Sequence, residues 1–254
     1  MLTNNEHYGP LMVQKPFYPE SEACCHIYLI HPPGGIVGGD VLHVHSDSGP
    51  DTHALITTPA ANKFYRSDGR VAQQEQIFHV NDNAVLEWLP QETVYFNDAR
   101  CHSKTKIHLT DTSKLLAWEI QCLGLPAQKE LFSSGHCLQK LEIWRNQKPL
   151  LLECNRFIGN DNLLTSPWGM NRQTATGTFV LTDSALKINR SQVLDILNQF
   201  PEINSSCTHY NDLFIIRALA MYAEPIKDLF IRLWESLRPV LLDLTPCPPR
   251  IWQT

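Results

Sequence analysis

Asp51-Thr52-His53-Ala54-Leu55-Ile56-Thr57-Thr58-Pro59 is answered, 31 positions on, by Asp82-Asn83-Ala84-Val85-Leu86-Glu87-Trp88-Leu89-Pro90. Asp51, Ala54, Leu55 and Pro59 return as Asp82, Val85, Leu86 and Pro90, and Phe64-Tyr65 returns at the same offset as Tyr95-Phe96. A looser third copy runs from Thr110-Asp111 through Leu115-Leu116 to Trp118. Turn residue, short apolar run and proline at constant spacing are the pattern of strand, tight turn and strand laid in layers, each coil covering the apolar face of its neighbour. The repeat predicts a mostly β, layered β-solenoid-like (β-helical) body. The competing reading is a set of β-hairpins alike by chance.

Working outward, residues 76–80, 105–109, 141–144 and 150–153 are short strand-like runs bounded by turn residues, and 146–149 reads as a loop joining the last two. The period changes near the end. Ile226, Leu229, Phe230, Leu233, Trp234 and Leu237 fall on one helical face, with Pro225 in the first turn and Pro239 closing the helix. Residues 191–200 form a second, shorter helix candidate before Pro201, so about two α-helices are expected towards the C-terminus.

Of the 254 residues, 43% are hydrophobic and 19% charged, enough to bury a sizeable core, and no Gly/Ser tract or charge run marks a linker. A single domain over 1–254 is expected. A net charge of −5 gives no basic excess for neutralising phosphates, so nucleic acid is not expected as a partner. Residues 1–10 are polar, and nowhere is there an apolar run long enough for a membrane span; a soluble, cytoplasmic protein is the expectation. The eight cysteines contain no Cys-x-x-Cys, and adjacent Cys24 and Cys25 would point to opposite faces of a strand, so packed, reduced thiols are expected rather than a zinc site.

The least ordinary stretch is His31-Pro32-Pro33-Gly34-Gly35-Ile36-Val37-Gly38-Gly39-Asp40. No Lys-Ser/Thr follows it and the Gly-x-Gly-x-x-Gly spacing is missing, which excludes a phosphate loop and a dinucleotide fingerprint. It reads as a structural loop: prolines stiffen it, and Gly34, Gly35, Gly38 and Gly39 permit positive φ or close backbone approach. Gly-x-Ser-x-Gly and His-Glu-x-x-His are absent, so an enzyme would have to use scattered residues. His43-x-His45 places two imidazoles on one strand face, a spacing suited to a metal pair but lacking a third ligand in the sequence nearby. Asp40, Asn62, Glu119 and Glu153 set polar groups beside apolar ones. Burying a carboxylate there requires a partner, water or a cation, and a salt bridge or strand-edge position would explain any one of them.

The chain resembles the urease accessory protein UreD (UreH) family. The resemblance is carried, in the family's order, by Gly9-Pro10-Leu11 and Gln14-Lys15-Pro16-Phe17-Tyr18-Pro19-Glu20, then by His31 to Asp40 and Lys63-Phe64-Tyr65-Arg66-Ser67. It continues with Leu86-Glu87-Trp88-Leu89-Pro90-Gln91-Glu92, Trp118-Glu119, Cys122-Leu123-Gly124 and Leu141-Glu142-Ile143-Trp144. It closes with Trp234, Leu237-Arg238-Pro239 and Pro249-Arg250-Ile251-Trp252-Gln253-Thr254. It implies a helix-poor, non-enzymatic scaffold that binds apo-urease and the accessory protein UreF, with the nickel-carrying GTPase UreG docked on UreF. It also implies nickel passage along an internal water-filled tunnel, with no tightly bound cofactor. The implied tunnel-lining positions are Asp40, Asn62, Glu119, Glu153 and Tyr18, with transient Ni2+ at Asp40, Glu119 and Glu153. Trp234, Arg238, Arg250 and Trp252 are candidates for partner contact.

Family members commonly begin earlier, with a basic strand, so a truncated N-terminal strand is expected here. Asn62 stands where many relatives carry a smaller residue, and residues 157–171 match loosely. Two rival readings remain: a conformational scaffold without metal conduction, and a β-solenoid hydrolase gathering Asp40, Glu92 and Glu119 in an open cleft.

Overall fold

Short β-prone runs separated by turn residues wind into coils. The computed structural model describes residues 2–20 and 22–253; Met1, Ser21 and Thr254, which the expected 1–254 domain includes, lie outside the described residues. β1 (Met12–Val13) pairs antiparallel with β2 (Cys25–Ile30), where the winding begins. β2 leads to β3 (Val41–Ser48); β4 (His53–Thr57) leads through β5 (Asn62–Phe64) to β6 (Ala72–Val80). β7 (Val85–Trp88) leads through β8 (Thr93–Tyr95) to β9 (Arg100–Leu109), and β10 (Lys114–Leu123) leads to β11 (His136–Arg145).

Corresponding strands of successive coils lie parallel, β2-β4-β7-β10 in one sheet and β3-β6-β9-β11 in a second, which makes a β-solenoid of about three turns. β12 (Lys148–Ile158) then turns back along β11. β13 (Ala175–Thr182) extends the first sheet beside β10, followed outward by β15 (Leu213–Ala220) and β14 (Asn204–Tyr210), all antiparallel.

The register explains why the repeat was visible and where it slips. Leu115 pairs with Leu86, as the third copy requires, and Phe64 stacks on Tyr95 with ring centroids 5.6 Å apart. Leu55, however, pairs with Glu87, while Leu86 pairs with Ala54. The left-handed turn residue is Asp51 in one coil and Asn83 in the next, one position later than the sequence echo places it. Asn62 pairs with Thr93, so the shorter link of the second coil restores the offset. A shift of one residue reverses the face of a strand. It leaves Leu55 facing the helices and Leu86 facing the second sheet.

The two helices expected towards the C-terminus are α2 (Arg190–Leu197) and α3 (Ala223–Leu242), and the described residues add a single helical turn before them, α1 (Asn162–Thr165). The six apolar residues of the predicted face of α3 are all buried, against β10, β13 and β15. Each such side chain contributes about 1.5–3 kcal/mol on burial. Gly177 of β13 permits this approach: a Cβ there would lie 2.7 Å from Ile226 and 2.8 Å from Phe230.

Two local expectations are corrected. Pro239 does not end α3, which runs on to Leu242; Pro239 lies on the exposed side of the helix, and Asp243, in the left-handed conformation, caps it by donating its N–H to the Pro239 carbonyl. The expected loop at 146–149 is a two-residue turn, with Asn146 and Gln147 at φ 46° and 65°, as tight hairpins require, and β12 already begins at Lys148.

Candidate functional site

Strands alternate their side chains between two faces, and the faces that meet between the sheets are apolar at one end and carry amides at the other. Gln74 and Gln76 of β6, Ser103 of β9, Gln121 of β10 and Asn62 of β5 surround a cavity of about 290 Å³. One water needs only about 10–15 Å³. Asn62 Nδ2 donates to Gln74 Oε1 at 2.8 Å.

Glu119 of β10 forms the inner end of this chamber and also lines a second void of about 10 Å³, shared with Gln139, Glu153, Asn155 and Thr178. Burial pushes the Glu119 carboxyl up, hydrogen bonds from Thr105 and Gln139 pull it back, and the nearby Glu153 charge raises it, leaving it at about 7. Thr105 Oγ1 lies between Glu119 Oε1 and Gln76 Oε1, and Gln139 Nε2 donates to Glu119 Oε2 at 2.5 Å. A protonated Glu119 can therefore donate to Thr105, which in turn donates to Gln76. The Trp88 indole N–H, buried beside this wall, also pulls the Glu119 carboxyl down.

Beyond the narrow void the polar chain continues outward. Asn155 Nδ2 donates to Gln139 Oε1 at 2.8 Å and to Glu153 Oε1 at 3.3 Å; Thr178 donates to Glu153 at 2.9 Å. Arg217 Nη2, half exposed, closes the series on Glu153 Oε2 at 2.7 Å. Oxygen and amide groups thus run from the wide chamber, past one near-neutral carboxyl, to a charged pair at the surface.

Asn62, Glu119 and Glu153 are brought together by this arrangement. Asp40 and Tyr18 are not part of either void's wall. The Asp40 carboxylate turns back to accept from Val37 N at 3.0 Å, its charge reaching His31 at the chamber rim, and Tyr18 accepts from Leu2 N and from Cys25 Sγ at the start of β2, packed against the apolar core between the sheets. In the stretch 31–40, Gly34 and Gly39 take positive φ, while Gly35 lies against the Tyr65 ring and Gly38 against Ser67. His31, Pro32, Gly34 and Gly35 line the chamber, with Pro33 exposed beside them. Of Asp40, Glu92 and Glu119, the set a hydrolase would require, Glu119 alone lines the chamber.

The candidates for partner contact are relocated. Trp234 and Arg238 are 0% exposed and Trp252 8%, so their side chains belong to the core; Arg250 is exposed. Arg238 is the centre of a charged hub that sequence reasoning missed. Its Nε donates to Glu87 at 3.0 and 3.2 Å, its Nη1 and Nη2 to Glu20 at 2.6 and 2.8 Å, and Nη1 also to the Thr245 carbonyl. His53 and Trp234 also bond Glu87, and His26 bonds Glu20 at 2.7 Å. Burial pushes Glu20 up, but hydrogen bonds from His26 and Arg238 outweigh it and hold it at about 2. Glu20, Cys24 and His26, and Cys24, His53 and Glu87, each converge as a metal set would, yet the guanidinium already contacts Glu20, Cys24 and Glu87. The cation of this hub is Arg238.

The profile of the family described as UreD urease accessory protein matches residues 1–253. The chain is 41% identical to the urease accessory protein UreD of Enterobacter sp. (strain 638), with 100% of this chain and 90% of that protein aligned. It is 40% identical to that of Citrobacter koseri, covering 100% and 86%, and 37% identical to that of Escherichia coli, covering 100% and 91%. A match of this extent, at these identities over the full length, means that the chain belongs to the UreD family of urease accessory proteins.

Proposed function

We propose that this protein acts in urease maturation as a non-enzymatic, cytoplasmic scaffold that joins apo-urease to UreF, and through UreF to UreG, and conveys nickel(II) along the polar passage between its sheets. The observation that carries the reading is Glu119, which stands in the wall of both the 290 Å³ chamber and the 10 Å³ void. Single carboxylates and amides with water completing the shell hold nickel far more loosely than clustered imidazoles or thiolates, and conduction requires that an ion both enter and leave. The wide chamber suits a hydrated ion. The narrow void beyond it, at the size of one water, requires exchange of water for Glu119, Gln139 and Glu153 oxygens. Asp40, near the chamber rim, contributes charge to its approach.

The test is co-expression of Glu119→Ala, and of Glu119→Gln with Glu153→Gln, with the urease subunits and accessory proteins. Intact complexes on affinity capture with a reduced nickel content of urease support conduction. Unchanged nickel content in both variants favours the rival scaffold without metal passage.

A further inference from the structure

His43, His45, His79, His102, His108 and His136, six of the eleven histidines, lie on the outer face of the second sheet, turned away from the chamber. Most of them are spread along the strands, so their number alone makes no site. Three donors do converge. His45, Asp47 and His79 place one ligand atom each within 4.8 Å of one another.

The convergence follows from strand register. Asp47 and His79 are paired across the parallel strands β3 and β6, and His45 precedes Asp47 by two residues, on the same face. The His45 and His79 ring centroids are 5.3 Å apart. On the next strand His108 pairs with His79, its ring parallel to within 6° at 4.7 Å, and so fixes the plane of the His79 imidazole. Neighbouring cations are engaged elsewhere: Lys104 lies 3.8 Å from Glu75 and 3.7 Å from Glu142, and Lys106 sits over the Trp144 ring. His43 is directed to Glu75, at 3.7 Å.

We infer that His45, Asp47 and His79 form a surface site for one first-row divalent transition ion of the nickel or zinc class. Two imidazoles and one carboxylate are borderline donors suited to such ions, whereas magnesium and calcium require shells built from oxygen. Two neighbouring strands hold the three donors, so side-chain rotation alone draws them in, and exposure of His45 and Asp47 leaves the remaining positions to water. The site is separate from the passage: in β6, Gln74 and Gln76 face the chamber while His79 faces outward. It therefore stands or falls independently of nickel conduction.

Calorimetric titration of the full chain with NiCl2, ZnCl2 and MgCl2 tests it. The expected result is one equivalent of Ni2+ or Zn2+, no comparable Mg2+ binding, and an affinity lowered roughly tenfold or more by His45→Ala or His79→Ala. Glu119→Gln should leave that equivalent in place. Ni2+ and Zn2+ titrations unchanged in the His45→Ala, His79→Ala double variant overturn the inference. Should the variants fail to fold, the unaltered chain loaded with one equivalent of Cu2+ decides: paramagnetic resonance must show coupling to two imidazole nitrogens, and its absence rejects the site.

Discussion

Arg238 and Glu87, 151 positions apart in the chain, meet side by side in the core with neither side chain exposed, the Arg238 Nε bonded to both carboxylate oxygens. Removing one member of a buried ion pair strands the other without compensation and costs about 3–5 kcal/mol. Arg238→Met, which strands Glu20 as well as Glu87, should therefore lower stability by at least this amount in urea unfolding. Arg238→Lys should recover little of the loss, because an ammonium cannot reach both carboxylates with the planar fork that the guanidinium presents.

Glu20 should give a distinct acid signature. Its native pKa, about 2, lies below its ordinary 4.5, so its contribution is fully present above 4.5 and is lost as pH falls through 2. The difference in urea midpoint between the parent protein and Glu20→Gln should be constant near neutrality and shrink progressively between pH 4.5 and 2.

Glu119 should behave in the opposite sense. Its native value, about 7, exceeds its ordinary 4.5, so the folded state is unburdened below 4.5 and progressively penalised as pH rises through 7. At 1.36 kcal/mol per pKa unit the penalty reaches about 3 kcal/mol. Glu119→Gln should stabilise the protein at pH 8–9 by up to this amount and make little difference at pH 4, as read by thermal unfolding across the range.

Gly177→Val probes the seat of α3. Added carbon atoms would fall within 3 Å of Ile226 and Phe230, and the helix would have to lift from β13. Overpacking of this kind costs about 1–3 kcal/mol. Urea titration should show that loss, while Gly177→Ala should cost less.

Ser103 lines the chamber from β9, so Ser103→Trp should obstruct it without touching the exposed faces. Co-expressed urease should lose nickel while capture of the accessory complex is unimpaired; full nickel loading would count against passage through this chamber.

The coils were legible because turn and aromatic positions repeat, and Leu115 over Leu86 and Tyr95 over Phe64 are the physical form of that repeat. The one-residue slip that puts Glu87 over Leu55 was not legible, since two turns of different length compensate one another and leave the average spacing unchanged. Asn62, Glu119 and Glu153 could be singled out as polar groups in apolar company. The glutamines that complete the walls of the chamber and the narrow void could not, because Gln74, Gln76 and Gln139 at alternate strand positions look like ordinary solvent-facing residues until the first sheet covers them. The hub escaped for a different reason. Nothing local to Glu20 or Glu87 announces a partner in α3, and nothing about Trp234 and Arg238 as candidates for partner contact announces that each of them completes a bond to Glu87.

That hub has a consequence for how the protein is made. Glu20 and Glu87 leave the ribosome 218 and 151 residues ahead of Arg238, so two carboxylates and the apolar side of β10 and β13 wait for α3 while that length of chain is made. Chains generally acquire structure from their beginning onward as they are produced. Here the nascent polypeptide stays sticky until α3 emerges, and a product that stops short of α3 leaves both carboxylates without their guanidinium and that apolar sheet face bare.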